Sequence, residues 1–216
     1  MAVMTLAAKA PQERRRRILE AAIDVLRERG FSGTRVADIA AAAGTSPALV
    51  LYHFSSLGEV LLEALTSVDE AFYAELDEAS TDPAADDACD QLVRVAALAG
   101  RGGAAFGDWQ LWLEVWVRAR HDPQVNDVRR ALDARWREAL RGVVALGVAE
   151  GAFTVPDAER ASLRLASLMD GLAVQAVLGD HGMTPERMTD LWLEGAAVEL
   201  GADRDALAAR LRATRG

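Results

Sequence analysis

The sequence predicts an all-α protein, a small N-terminal helix-turn-helix domain followed by a C-terminal helical bundle, and three observations predict it. Nothing in the 216 residues alternates apolar and polar over strand length. Apolar residues recur at helical spacing between breakers, as Trp109, Trp112, Leu113 and Trp116 do at positions three, four and seven apart. The stretch from Thr34 to Leu62 reads as a short helix, a tight turn, a second short helix and the start of a third.

In chain order, residues 1–10 read as a flexible arm, and a basic helix runs from about Pro11 to Arg29. The run Gly30-Phe31-Ser32-Gly33 then leads to Thr34, expected to cap a helix whose apolar positions are Val36, Ile39, Ala40 and Ala43. Gly44 supplies the positive φ of an abrupt helix end. Ser46-Pro47 opens the next helix with a capping hydroxyl and a proline that first helical positions tolerate. Two helices joined by so short a glycine-containing turn form a helix-turn-helix, whose second helix enters the DNA major groove. Residues 11–56 are assigned to this domain and 57–216 to the body.

In the body, helices are expected over Leu57–Ala79, up to the breaker Asp82-Pro83, and over Ala84–Ala99. Gly100 to Gly103 is a loop, and Ala105 to Arg120 a Trp-rich helix. Asp122-Pro123 caps a long helix to about Val148, and Gly151-Ala152-Phe153 is a turn. Val155-Pro156 starts a helix ending near Gly179, Thr184-Pro185 one ending near Gly201, and a short helix follows Asp203.

Composition narrows the function. Half the chain is apolar, yet no uninterrupted run approaches the length of a membrane span, so no membrane is expected as a partner. The N-terminus lacks the pattern of a secretory signal, and Cys89 is the only cysteine, so a reducing cytoplasm is the expected location. The net charge of −9 is unevenly divided. Residues 1–60 carry eight basic and six acidic groups; the remaining 156 carry 16 and 27. A mildly basic head on an acidic body is compatible with DNA binding confined to the head, because phosphate attraction is local. No enzyme, catalytic residue, metal or cofactor is expected. None of His53, His121 and His181 follows an acidic residue at the spacing of a di-metal bundle, and neither a phosphate-binding glycine loop nor a Gly-x-Ser-x-Gly elbow is present.

The order basic helix, Gly30-Phe31-Ser32-Gly33-Thr34, Asp38-Ile39-Ala40, Gly44-Thr45-Ser46, Tyr52-His53-Phe54-Ser55-Ser56 and apolar helix resembles the N-terminal domain of the TetR family of bacterial transcriptional regulators, over residues 11 to 65. The resemblance implies that Thr34 and Arg35 meet phosphates, and that Ser46, Pro47 and Ala48 open a recognition helix continued by Leu49, Tyr52 and His53. Phe54 is expected in the core, and His53 either reads DNA or packs. Arg14 to Arg17 either extend the phosphate contact or form a solvated helix face. The chain departs from the family at Pro47, at Leu51-Tyr52 and at Leu57-Gly58, where polar or basic contacts are usual. Weaker nonspecific binding, a shallow salt dependence and readout through Tyr52, Ser46 and thymine methyl groups are therefore expected.

The helix over Asp157–Leu178 is apolar on two sides, one carrying Leu165, Leu168, Met169 and Leu172, the other Ser167, Gly171, Val174 and Leu178. A helix hiding two faces needs a partner beyond its own bundle, or else lies at the centre of a large monomeric one. In the family the last two long helices form a four-helix dimer interface. The expected interface residues are thus Leu168, Gly171, Leu172 and Leu178, with Met188, Leu191, Trp192 and Gly195 of the next helix. The segments Glu114-Val115-Trp116, His121-Asp122-Pro123, Trp136-Arg137, Gly151-Ala152-Phe153 and Met169-Asp170-Gly171-Leu172 resemble the BetI-type C-terminal subgroup. That resemblance implies a body enclosing a small-molecule effector. Phe72, Phe106, Trp109, Trp112, Trp116 and Met169 are candidate walls, or else core, and Glu114, Asp170 or Gln175 a candidate anchor. Aromatic walls with a carboxylate suit a cation or a flat aromatic. The reading is a homodimeric repressor of a pseudo-palindromic double-stranded DNA operator. The alternatives are a DNA-binding protein without effector, which no ligand would release, and a helical assembly factor, which would bind no DNA.

Overall fold

A computed structural model describes residues 6–78, 86–100 and 109–215, and every regular element among them is helical. The helices are α1 Leu6–Gly33, α2 Val36–Ala42, α3 Pro47–His53, α4 Leu57–Glu78, α5 Ala88–Gly100, α6 Trp109–Ala119, α7 Pro123–Ala149, α8 Ala158–Leu178, α9 Pro185–Leu200 and α10 Arg204–Arg215. Asp82-Pro83, Phe106 and most of the Gly100–Gly103 loop lie outside the described residues.

The chain divides into two compact units. The head unit comprises Met1–Ser67 with Gln110–Val128, and the body unit Val68–Trp109 with Arg129–Gly216. The head thus runs past residue 56 and takes in the first half of α4 and most of α6. Periodicity cannot reveal such a partition, because an uninterrupted helix gives no sign of where its packing partners change.

In the head unit, α1 breaks at Gly30, whose φ of 67° lies in the left-handed region that side chains disfavour. An added Cβ there would also sit 2.9 Å from Glu114 Oε1, a side-chain end that can move, so conformation is what holds the position to glycine. Ile18, Ala22 and Val25 of α1 pack with Ile39 and Ala40 of α2, Val50 of α3, and Phe54 and Val60. These residues are almost fully buried. This one apolar cluster fixes the three short elements relative to α1.

In the body unit the helix boundaries follow their caps. Asp157 accepts from the Arg160 N–H (3.0 Å) and starts α8 two residues beyond Pro156. Thr184 accepts from the Arg187 N–H (3.2 Å) and starts α9. The α8–α9 pair is close because Gly195 has no side chain; a Cβ there would stand 2.4 Å from Leu168 Cδ2. The Trp192 indole lies entirely inside and donates to the Leu165 carbonyl at 2.9 Å. Arg210 of α10 grips Asp87 and Asp90 at the start of α5, and both carboxylates raise its pKa.

α8 is long and apolar enough on average to cross a membrane by length and composition, although Arg164 and Asp170 keep it from being an uninterrupted apolar run. Its Leu165, Met169 and Ala173 are nevertheless buried within the body unit, as in the core helix of a folded bundle.

Candidate DNA-reading face and effector body

The head presents its two short helices through caps written in the sequence, with one correction. Thr34 does not cap α2. It is buried, and its hydroxyl donates to the Gly30 carbonyl at 2.6 Å, closing the turn after α1. Its side chain is therefore not placed to meet a phosphate. Arg35 holds the cap position: its backbone N–H donates to Asp38 Oδ2 at 2.9 Å, and its side chain is exposed. Gly44 turns the chain with φ 62°. Ser46 Oγ accepts from the Leu49 N–H at 3.2 Å, with Pro47 at the first helical position, so the recognition helix starts where the sequence places it.

Val50 and Phe54 face inward. Ser46, Pro47 and Ala48 are exposed, and Tyr52 is 80% exposed. Leu49 and His53 are only partly exposed, and His53 stacks edge-on against Tyr52, centroids 5.3 Å apart. Leu51 was not expected on this face and is 47% exposed. Its spacing of three from Ala48 and four from Pro47 carried the signal. The outer face of α3 is mostly apolar, its polar groups being the Tyr52 hydroxyl and the partly exposed His53 imidazole, with the Ser46 oxygen before it already used in the cap.

The arginine run mostly braces the head. Arg15 pairs with Glu63 and lies 4.5 Å over the Phe54 ring. Arg16 pairs with Glu13 and Glu20. Arg17 reaches the Ala43 carbonyl at 3.5 Å, and Arg29 holds Asp38 at 2.9 Å. Arg14 and Arg35 are exposed. An open cleft of about 730 Å³ in the same unit is lined by Phe31, Ser32, Thr34, Leu57, Glu114, Val117, Arg118, His121 and Asp122. Within it the Arg118 guanidinium lies 4.3 Å over the Phe31 ring.

The body unit buries carboxylates. Burial, then the Asp133 charge, pushes the Asp170 carboxyl up to about 6, and burial raises Asp133 itself. Asp69 is 1% exposed; burial raises its pKa against the pull of Arg135, whose Nη1 stands 2.7 Å from Oδ2. Phe72 is buried with its ring edge-on to Tyr73 (5.2 Å) and to Trp136 (5.9 Å).

Known proteins agree with this division of labour. Residues 18–64 match the family described as bacterial regulatory proteins, tetR family, and residues 95–201 match the BetI-type transcriptional repressor C-terminal family. A solved transcriptional regulator from Saccharomonospora viridis in complex with choline is 32% identical, with a TM-score of 0.77, over 85% of this chain and 95% of that one. The chain belongs to the TetR family of transcriptional regulators. The HTH-type transcriptional regulator CymR of Pseudomonas putida is 27% identical over 192 residues, 87% of this chain and 91% of that protein. A TetR-family regulator from Rhodococcus sp. shares the fold at 24% identity, TM-score 0.74, over 88% of this chain and 99% of that one.

A TetR-family regulator is not an enzyme; members of the family form dimers and bind small-molecule effectors. Two of the residues expected between protomers are core instead. Met188 and Trp192 are buried within one body unit, on the inward side of α9. Leu168 and Gly195 pack on each other. The exposed apolar surface of α8 is Leu163, Val177 and Leu178, beside Gly171, which has open space around it, and α9 adds Val198. Among the expected effector residues of the body unit, Phe72, Trp109 and Met169 are buried, and Asp170 and Gln175 half-buried. Trp109 donates its N–H to the Ala99 carbonyl at 3.2 Å. Trp112, Trp116 and Glu114 belong to the head unit, the two indoles with centroids 6.2 Å apart. Glu114 lies beside the Gly30 turn and lines the cleft of the head unit. Asp69, Tyr73 and Trp136 were missed. The available signal was an aspartate standing between Leu65 and Phe72 on an otherwise apolar helical stripe.

Proposed function

We propose that this regulator is a homodimeric repressor that holds a pseudo-palindromic operator through α3 and leaves it when a small organic cation binds its body. Such a protein works in the cytoplasm, where its operator is. The observation that carries the reading is the set of carboxylates drawn out of water in the body unit, Asp69 buried and Asp133 and Asp170 half-buried, whose pKa values burial raises. A cation lined by aromatic rings and a carboxylate offsets that cost of burial. The choline complex of the 32% identical neighbour supports a quaternary ammonium as the class.

Pairing is supported by the exposed Leu163, Val177, Leu178 and Val198. A dimer presents two α3 helices to two half-sites, and a cation releases them only by binding the DNA-incompetent arrangement more tightly.

Fluorescence anisotropy of labelled upstream intergenic DNA against the purified protein, at two salt concentrations and with or without choline, tests this. Selective binding over a scrambled duplex, at the stoichiometry of a dimer and reversed by choline, is the expected result. Selective binding that neither choline nor any other small cation reverses would leave a regulator without a cationic effector. Absence of selectivity would favour the assembly factor.

A further inference from the structure

We propose that Arg135 occupies, with its own guanidinium, a cation seat built from the Asp69 carboxylate and the Tyr73 ring, and that a compact methylated ammonium binds there in exchange for it. The proposal rests on the cationic-effector reading and names the seat. Asp69 and Tyr73 lie on α4, Arg135 on α7, all in the body unit. Arg135 Nη1 stands 2.7 Å from Asp69 Oδ2, and its central carbon lies 3.7 Å from the Tyr73 ring centroid. A cation on an aromatic face with a carboxylate at its side is the arrangement that binds quaternary ammonium groups.

The two partners are unequal. Asp69 is fixed in the interior, whereas the Arg135 side chain is 46% exposed and reaches in from solvent. The carboxylate needs a cation there; the guanidinium is solvated well enough elsewhere. The fit is also incomplete. Asp69 Oδ1 and the Tyr73 hydroxyl are buried without a hydrogen-bond partner among the described residues. A guanidinium that filled the seat well would engage both carboxylate oxygens as a fork, and native interiors seldom leave such atoms unmatched. The raised pKa values of Asp69 and Tyr73, both led by burial, point the same way. A trimethylammonium head is rounder and bulkier than the planar guanidinium, gives up water readily, and can enter from the solvent side that the half-exposed Arg135 vacates. The Phe72 ring, edge-on to Tyr73 and Trp136, holds the aromatic face in place. Exchange would free Arg135 from α4, so occupancy of the seat is coupled to the α4–α7 tie within the body.

The test is isothermal titration of tetramethylammonium chloride into full-length protein without DNA, against sodium chloride of equal ionic strength. Arg135→Ala removes the internal competitor and is expected to tighten binding about tenfold or more, as for a seat that is mostly occupied in the wild type. The lowered Tm of that variant should recover with tetramethylammonium and not with sodium. Adding Asp69→Asn should abolish both gains. If Arg135→Ala does not fold, Arg135→Gln serves in the same measurements. Binding no tighter than wild type after loss of Arg135, or undiminished after loss of Asp69, would overturn the proposal. A seat that passes while the operator complex ignores the cation would refute the effector reading alone.

Discussion

The head and the body solve opposite electrostatic problems. The head must attract a polyanion, yet most of its arginines are tied to neighbouring groups, Arg15 to Glu63, Arg16 to Glu13 and Glu20, Arg29 to Asp38. The outward face of α3 is mostly apolar. The body carries the acidic excess, and it draws carboxylates inward, where burial raises their pKa values. In the head, ion pairs tie arginines to neighbouring carboxylates; in the body, a buried carboxylate depends on the cation beside it. A ligand shifts such a protein between two arrangements only through a difference in its affinity for them.

The largest expected effect breaks the body alone. Trp192→Ala removes a fully buried indole and its hydrogen bond to Leu165, and should cost about 3–5 kcal/mol in urea denaturation. As a core residue it should do so at every protein concentration. A variant of native stability that merely dissociates would return Trp192 to the dimer surface. Next in size is Leu178→Glu, a change on the exposed face of α8, where Leu178 is 63% exposed. It should weaken self-association by about 2 kcal/mol or more, seen as monomers in a sedimentation dilution series, with little change in monomer stability.

These two substitutions mark how much the sequence could disclose. The helix ends were legible because they are local: Ser46-Pro47, Asp157, Thr184 and Gly44 act on backbone groups within a few residues. Thr34 misled because a threonine before a helix can also point back, and its hydroxyl closes the turn at Gly30. Which side of a long apolar helix goes inward was not legible. In α9 both Trp192 and Val198 are apolar, and only the positions of α5, α8 and α10 around it decide that the first is buried and the second exposed. The family resemblance supplied the reading helix; the Asp69–Tyr73–Arg135 seat joins residues 66 positions apart in sequence and left only an aspartate on an apolar stripe.

A smaller effect sharpens the body's side of the comparison. With its carboxyl pushed up to about 6, Asp170 favours folding when protonated. Its contribution is complete below the ordinary value of 3.8 and is lost as pH rises through about 6. Asp170→Asn keeps the neutral state at every pH. Its thermal stability should exceed wild type by about 1–2 kcal/mol above pH ~6.5, after allowance for partial exposure, and the difference should shrink toward pH ~4. An advantage independent of pH would show that Asp170 is not held protonated by its surroundings.

The head is sharpened by a pair of substitutions with different signatures. Tyr52→Ala removes a side chain of α3 that is 80% exposed and should lower selective operator binding by about 1–2 kcal/mol without altering affinity for a scrambled duplex or the dimer. Arg35→Ala acts on the backbone of the DNA. The guanidinium is exposed at the start of α2, while its own N–H to Asp38 is a main-chain bond that alanine retains. The cap survives, so any loss belongs to phosphate contact. Affinity should fall by a similar factor on operator and scrambled DNA, and the slope of log K against log salt should shrink by about 1 per subunit. Because so few of the head's arginines are uncommitted, that single step should be a large share of a shallow total slope. A steep slope that Arg35→Ala leaves unchanged would mean that the braced arginines exchange their carboxylates for phosphates on binding, and the contrast between a head of paired arginines and a body of buried carboxylates would then hold only for the free protein.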